Sequence, residues 1–181
     1  MRDEVRHRRN EVVWIVLAAC SSVTGFTVPT THAASAEEAK YVSPDGAMGA
    51  VASWSAGDAC ETKIVIASGG REIVRLDYTT EDHEHGNCLG KAEWTNNSQF
   101  FVFSLDPAGG HHSWNTPIMF FSRQNENVLP LEKYSVDPVT DFKFSLFPPD
   151  VIEFETTKLP LGEYRPVRRS LRLGSLDQNQ P

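Results

Sequence analysis

The sequence lacks the short motifs by which the common catalytic classes are recognised. It has no Gly-x-Ser-x-Gly nucleophile elbow, no glycine-rich phosphate loop and no Gly-x-Gly-x-x-Gly turn after a strand. Ser113 follows His111 and His112 directly, but neighbouring residues of a loop rarely face each other, so this serine does not indicate a hydrolytic pair. We therefore expect that the protein is not an enzyme, and an unrecognised hydrolase is the catalytic alternative that remains.

Basic residues are fewer than acidic residues. The chain has 17 lysines and arginines against 24 acidic residues, a net charge of −7, and the acidic excess is larger beyond residue 33. Nucleic-acid binding requires a basic surface, so we expect no nucleic-acid partner. A basic cluster near the end of the chain is usually a solvated face, and it would otherwise suit an anionic lipid or an acidic partner. Its members are Arg165, Arg168, Arg169 and Arg172.

The apolar run near the N-terminus is too short to cross a membrane as a helix, for which about 20 residues are needed. This run, residues 12–19, follows Arg6, Arg8 and Arg9, and a basic segment before a short apolar segment is the pattern of a secretory signal. We therefore predict an export signal over residues 1–33. The mature protein would be periplasmic, held at the outer membrane as a lipoprotein, or secreted.

Two processing routes fit the export signal. Residues 17–20, Leu-Ala-Ala-Cys, resemble a bacterial lipobox with lipidation at Cys20, and the Ser/Thr-rich residues 21–31 would then be a flexible tether. Alternatively, small residues at 31 and 33, or at 34 and 36, fit an ordinary signal-peptidase site. Any membrane contact is expected to come only from the lipid anchor.

Cysteine is scarce, with three residues in the chain. Cys20 is removed or lipidated under either processing route, which leaves Cys60 and Cys88 as an even pair in an oxidising compartment. We expect a disulfide between these two, and a pair of buried free thiols is the alternative.

No helical apolar period follows residue 37, and glycine, proline, asparagine and aspartate interrupt the chain at short intervals. This pattern predicts an all-β domain of short strands. Turn-forming residues at 44–46, 96–98 and 148–150 each precede an apolar segment, and Asp45, Asn97 and Asp150 are spaced by 52 and 53 positions. A fixed spacing of this size predicts a repeated supersecondary unit.

Each predicted repeat begins at one of these turns and contains four strands. We predict a repeat domain over residues 34–174 and a disordered tail over residues 175–181. The strands of the first repeat are 47–55, 62–68, 72–78 and 91–95, and those of the second are 99–105, 116–123, 128–134 and 140–147. A third repeat begins with 151–156, and one further strand spans 164–173. Eight phenylalanines are expected in the core, at positions 100, 101, 103, 120, 121, 142, 144 and 147.

Residues 42–46, Val-Ser-Pro-Asp-Gly, with the apolar strand after them, resemble the WD40-like repeats of the Tol-system periplasmic β-propellers. Residues 94–98 keep the aromatic and turn character, and residues 147–150 keep Pro-Asp. The resemblance implies four-stranded blades, a central channel and a protein-binding face. Propellers close with four or more blades, but this chain has room for two to three antiparallel blade-like repeats. A partial propeller, a small β-sandwich and a homodimer that completes a ring all fit.

All four histidines after the signal lie in two predicted loops, which the blade topology places at the same end of the domain as both cysteines. These are His83, His85, His111 and His112. Imidazole nitrogens are zinc and copper ligands, and Asp82 or Glu84 could support them. No recognised ligand spacing is present, so exposed histidines with no bound cofactor are the alternative.

These features together predict an exported, non-catalytic β-repeat protein that binds a protein or a component of the cell envelope. The alternative prediction is an exported zinc- or copper-binding protein that uses the loop histidines.

Overall fold

A computed structural model describes residues 37–54, 60–82, 85–108, 117–135, 137–158 and 165–178. All of them belong to Ala33–Pro181, one of two compact units into which the chain divides. The predicted export signal, with Cys20, lies outside the described residues. Within the described part, no helix is long and apolar enough to span a membrane.

The described residues form three antiparallel sheets, which confirms the expected all-β class with blade-like sheets. The first sheet contains β1 (Glu37–Val42), β2 (Met48–Trp54), β3 (Thr62–Ser68) and β4 (Arg71–Asp77). The second contains β5 (Asn87–Trp94), β6 (Phe100–Pro107), β7 (Ile118–Ser122) and β8 (Asn127–Pro130). The third has the order β11 (Arg165–Arg172), β10 (Val151–Lys158), β9 (Val139–Phe147). A 3-10 helix, Leu131–Tyr134, precedes β9, and a short helix α1, Leu173–Asp177, follows β11.

Alternating side chains explain why these segments form strands. In β3, Ile64 and Ile66 are fully buried while Lys63 between two buried neighbours is exposed, as expected for a sheet with one face in a core. The hairpin to β4 turns through Gly69 and Gly70, whose φ angles of 55° and 82° are those of the primed turn that two consecutive glycines predict.

The repeated turns are structurally equivalent in the first two sheets. The hydroxyl of Ser43 accepts a hydrogen bond from the Met48 N–H at 3.0 Å, and the hydroxyl of Thr95, 52 positions later, accepts one from the Phe100 N–H at 3.0 Å. Each turn also contains one residue with positive φ, Gly46 in the first and Ser98 in the second. The spacing in the sequence therefore corresponds to a repeat in the structure.

The predicted boundaries of the repeats were wrong by one strand. The turns do not begin the sheets but connect the first strand of each sheet to its second, as β1 to β2 and β5 to β6. The predicted strands 91–95 and 140–147, assigned to the ends of repeats, belong to the first strands of the following sheets. The error arose because β1 is an edge strand with exposed charged residues and so has little apolar pattern.

Two cores hold the three sheets in a stack. The first lies between the first and second sheets and includes Ile64 and Ile66 on one side and Phe101 and Phe121 on the other. The second lies between the second and third sheets, where Phe100 and Phe120 pack with Ile152 and Phe154 among others. The second sheet is thus covered on both faces, which explains why β6 is buried along almost its whole length.

Six of the eight predicted core phenylalanines are buried: Phe100, Phe101, Phe103, Phe120, Phe121 and Phe144. Phe147 was predicted wrongly, since it is 49% exposed. Its strand neighbour Leu146 packs on the second core, so the alternation of the strand directs Phe147 to the opposite, outer face of the third sheet. The side chain of Phe142 lies outside the described part.

The predicted disordered tail is partly wrong. Within it, Asp177 is only 8% exposed, and its carboxylate accepts hydrogen bonds from the Ser122 hydroxyl at 2.8 Å and the Asn125 amide at 2.6 Å. These contacts fix α1 against the β7–β8 turn. Residues 179–181 lie outside the described residues.

Candidate functional site

The sheets have two distinct ends. The hairpin turns after β1, β3, β5, β7 and β9 lie at one end, which we call the turn end. The turns of neighbouring sheets contact each other there: the Asp45 N–H donates to the Ser98 hydroxyl at 3.0 Å, and the Asn97 N–H donates to the Pro149 carbonyl at 3.4 Å. The opposite end, which we call the loop end, carries Cys60 and the segment 78–86 between β4 and β5.

A disulfide between Cys60 and Cys88 lies at the loop end, with 5.0 Å between the two Cα atoms. This is the pair proposed from the sequence. Cys60 lies between β2 and β3, as expected, whereas Cys88 lies within β5 instead of in a loop. The bond therefore links the first sheet to the second.

A buried carboxylate beside this disulfide organises the segment 78–86. Glu61 is only 3% exposed, and its carboxylate accepts hydrogen bonds from the Thr80 N–H at 2.8 Å, the Thr80 hydroxyl at 2.7 Å and the Gly86 N–H at 2.6 Å. A Cβ at Gly86 would lie 2.3 Å from the carboxylate carbon, so the close approach requires glycine. Nothing in the sequence distinguishes Glu61 from the other acidic residues, because its role depends on its burial in the fold.

Of the four predicted metal-ligand histidines, only His85 belongs to the described residues. It is exposed, and its Nδ1 lies 2.5 Å from the Asp82 carboxylate, which also accepts the His85 N–H at 3.3 Å. His83, His111 and His112 lie outside the described residues, as does Glu84. Among the residues that the structure describes, no group of three or more His, Cys, Asp or Glu side chains could hold a metal ion.

The strands that flank His111 and His112 in the sequence end and begin at the loop end. β6 ends at Pro107 and β7 begins at Ile118 at this end, so the residues between them leave and rejoin the second sheet on the same side as His85. The predicted metal site remains a prediction.

The turn end holds Asp45 in a structural role. Its carboxylate accepts from the Ser43 hydroxyl at 2.6 Å and the Ala47 N–H at 3.0 Å, and it forms an ion pair with Arg123 of the second sheet. The Ser43 hydrogen bond, the Arg123 guanidinium and the Ala47 N–H hold the pKa of this carboxyl well below its usual range. These contacts close the turn and join two sheets, as expected for a turn residue.

Among the described residues, the outer face of the first sheet is an open surface at one limit of the stack. It is formed by Val42, Gly49 and Val51 with Val65 and Ala67, which alternate with residues of the first core. Val42 is 67% exposed.

The repeat relates this outer face to a buried surface. The positions of Val42, Gly49 and Val51 are occupied one repeat later by Trp94, Phe101 and Phe103, which pack against the first sheet. Trp94 is only 7% exposed. The same face of the sheet therefore packs against a neighbouring sheet in the second repeat, whereas in the first repeat no described sheet covers it.

The edge of β11 that faces away from β10 is a further open surface. Among the described residues, the third sheet has three strands where the others have four, and β11 pairs with β10 on one side. The predicted basic cluster lies on this strand. Three of its arginines form ion pairs within the domain, Arg168 with Glu153 at 3.5 Å, Arg169 with Asp137 at 2.7 Å and Arg172 with Asp150 at 3.1 Å.

Comparisons with known proteins identify no family. No protein-family model matches the chain, and no curated protein matches it. One similar solved structure is that of a puromycin hydrolase mutant complexed with PGG, at 11% identity and a TM-score of 0.29. The match covers 74% of this chain and 28% of that chain, so the chain spans little more than a quarter of its length. A likeness this distant supports no conclusion about function.

Proposed function

We propose that this is an exported, non-catalytic β-repeat protein that binds a protein or a component of the cell envelope. The observation that carries the proposal is the open outer face of the first sheet. Its repeat-related counterpart on the second sheet is a packing surface, with Trp94 buried where Val42 is exposed. A unit that stacks by this face inside the chain offers the same kind of face to a partner at the start of the stack.

Export agrees with two further features. The disulfide between Cys60 and Cys88 is of the kind that persists in oxidising compartments. The basic and apolar residues before residue 20 have the pattern of an export signal. The resemblance to Tol-type propeller repeats also favours a binding role, and it remains an expectation from the sequence.

The test is co-purification from native envelopes at several salt concentrations. We expect a reproducibly enriched partner with the wild-type chain and a reduced yield with Val51→Glu, which places a charge in the middle of the outer face. Gln124→Glu on the exposed β7–β8 turn is the matched control, and its yield should equal that of the wild type. If no partner is enriched at any salt concentration, the proposal is wrong.

A zinc- or copper-binding function is the second candidate, because His85 lies at the loop end and His111 and His112 follow, in the sequence, a strand that ends there. Changing His83, His85, His111 and His112 together to alanine should abolish metal binding measured by mass spectrometry of the native protein. Unchanged metal content in this variant would exclude the histidines as ligands, and a metal-free wild-type chain would remove the candidate function altogether.

A further inference from the structure

We propose that the free edge of β11 accepts an extended acidic segment of a partner protein as the fourth strand of the third sheet. This inference goes beyond the proposed function, because it concerns a different surface from the outer face of the first sheet and names the chemistry of the partner that binds there. It follows from the strand count, from the backbone groups that face the edge and from the charge of β11.

The strand count shows which position is open. The first and second sheets each carry a fourth strand antiparallel to the third, β4 beside β3 and β8 beside β7. The corresponding neighbour of β11 is missing among the described residues, although β11 pairs with β10 over its full length of eight residues. An edge strand of this length presents a row of backbone groups to an incoming strand.

The register shows which backbone groups face the edge. The Leu173 N–H donates to the Asp150 carbonyl at 3.0 Å, so Leu173 and Asp150 form a hydrogen-bonded residue pair. Hydrogen-bonded and non-hydrogen-bonded residue pairs alternate along an antiparallel ladder. The Thr156 hydroxyl donates to the Val167 carbonyl at 3.2 Å, which agrees with Val167 facing β10. The backbone groups of residues 166, 168, 170 and 172 therefore point away from β10, towards the free edge.

These four residues leave a usable edge. Pro166 has no N–H, but its missing donor faces the free edge, where it breaks no bond to β10. The Arg172 carbonyl accepts the Ser175 hydroxyl at 2.6 Å and is occupied. Arg168 and Ser170 each offer one backbone N–H and one carbonyl to the edge. These two residues are two positions apart, which is the spacing at which an adjacent strand forms its hydrogen bonds.

The charge of β11 selects an acidic occupant. Arg168 and Arg172 point to one face of the sheet and Arg169 to the other, so cations border the edge on both sides. Arg168 and Arg172 pair with Glu153 and Asp150 inside the domain, yet their side chains remain 69% and 64% exposed and can contact an incoming strand. Opposite charges on adjacent strands stabilise a sheet, whereas like charges directly opposite each other destabilise it.

The first sheet contains an example of this pairing. Lys63 on its third strand lies directly opposite Asp77 on its fourth, with 3.1 Å between the amine and the carboxylate. The hydrogen bonds from Thr79 and the Lys63 amine lower the pKa of Asp77 to about 2, so this carboxylate is charged at neutral pH. A second copy of β11 would instead place arginines beside arginines, so the edge favours a different, acidic chain.

The test uses a synthetic peptide of alternating threonine and glutamate, eight residues long to match β11. We expect the purified protein to bind it and to protect the amides of Arg168 and Ser170 from hydrogen exchange. The same peptide with lysine in place of glutamate should bind at least about tenfold more weakly, a loss of about 1.4 kcal/mol.

Ser170→Pro removes an outward N–H without changing charge, and Pro166 shows that the edge tolerates proline at such a position. We expect it to weaken peptide binding at least about tenfold, while Ser170→Ala binds like the wild type. If Ser170→Pro does not fold, Arg168→Gln tests the charge term and should weaken binding measurably.

Several outcomes would overturn the inference. These are equal affinity for Ser170→Pro and Ser170→Ala, equal affinity for the acidic and lysine peptides, protection of the β11 amides by anionic phosphatidylglycerol vesicles in place of the peptide, and occupation of the edge by a second copy or by residues before β1. If Ser170→Pro binds the peptide as well as Ser170→Ala does while Val51→Glu loses the envelope partner, this inference fails and the proposed function holds. If the wild type enriches no partner, the proposed function fails independently of the peptide result.

Discussion

Glu61 shows how one buried side chain can fix a segment that lacks regular structure. Its carboxylate accepts from the backbone of Thr80 and Gly86, and it holds segment 78–86 between the first and second sheets. Burial of a carboxylate is costly unless its oxygens are hydrogen-bonded, as they are here. Composition and spacing cannot reveal such a residue, because its partners are backbone groups brought together only by the fold.

Gly86→Ala should destabilise the protein. The new Cβ would lie 2.4 Å from the Tyr78 carbonyl oxygen as well as against the Glu61 carboxylate, and backbone on one side limits relaxation. We expect a loss of about 1 to 3 kcal/mol in the free energy of unfolding, measured by urea denaturation. Gly49→Ala is the control, since its Cβ would lie 3.8 Å from the Tyr41 carbonyl oxygen, an ordinary contact. Equal effects of the two substitutions would contradict this account of Gly86.

Asp45 should make the turn end sensitive to acid. Its pKa is lowered from the ordinary value of 3.8, so the folded state favours the charged carboxylate. The resulting stabilisation is complete above the ordinary pKa and is lost as the pH falls towards the lower folded pKa. Between about pH 4 and pH 2 the urea midpoint of the wild type should therefore fall more steeply than that of Asp45→Asn. Parallel curves for the two proteins would show that Asp45 is not the group responsible.

At the scale of elements, the turn chemistry was readable from the sequence but the strand pairing was not. The spacing of Asp45, Asn97 and Asp150 predicted a repeat, and the structure places all three in or beside hairpin turns that join first and second strands. The predicted assignment of strands to sheets was wrong by one strand, because the pairing of strands depends on contacts between segments that are distant in the sequence. β1 in particular has charged residues where an apolar pattern would have identified it.

The two equivalent turns should respond alike to loss of their hydroxyl. Ser43→Ala and Thr95→Ala each leave a buried N–H, of Met48 and of Phe100, without its acceptor. We expect each substitution to lower the free energy of unfolding by about 1 to 2 kcal/mol, measured by chemical denaturation. Ser53→Ala, near the end of β2 and outside both turns, should change it by less than about 0.5 kcal/mol. A large effect at only one of the two turns would argue against their equivalence.

The disulfide between the first and second sheets should contribute strongly to stability. It closes a loop with a sequence separation of 28, for which the chain-entropy estimate is about 3 to 4 kcal/mol. Replacing both Cys60 and Cys88 with serine should lower the free energy of unfolding by this amount, and the reductant dithiothreitol should lower the wild-type stability but not that of the double variant. A reductant-insensitive wild type would contradict the pairing.

At the scale of the whole molecule, the three sheets form a stack with a buried core between each pair of neighbouring sheets. The outer face of the first sheet and the edge of β11 are not covered by any described residue. The aromatic core residues, the all-β class and the cysteine pair were predictable, because they follow from composition, alternation and cysteine count. The open surfaces were not, because exposure of Val42 and the missing neighbour of β11 depend on how many units the chain contains and where each sheet begins. The arginine cluster was visible in the sequence, but its position on a free strand edge was not.

Native mass spectrometry of the protein, extracted gently from the envelope of its own host, tests the central claim of a binding function most directly. The account predicts that the chain is recovered in a complex with another protein or an envelope component, and that the complex dissociates on activation to the intact chain. Recovery of the chain alone, with neither a partner nor an envelope component at any ionic strength, would contradict it.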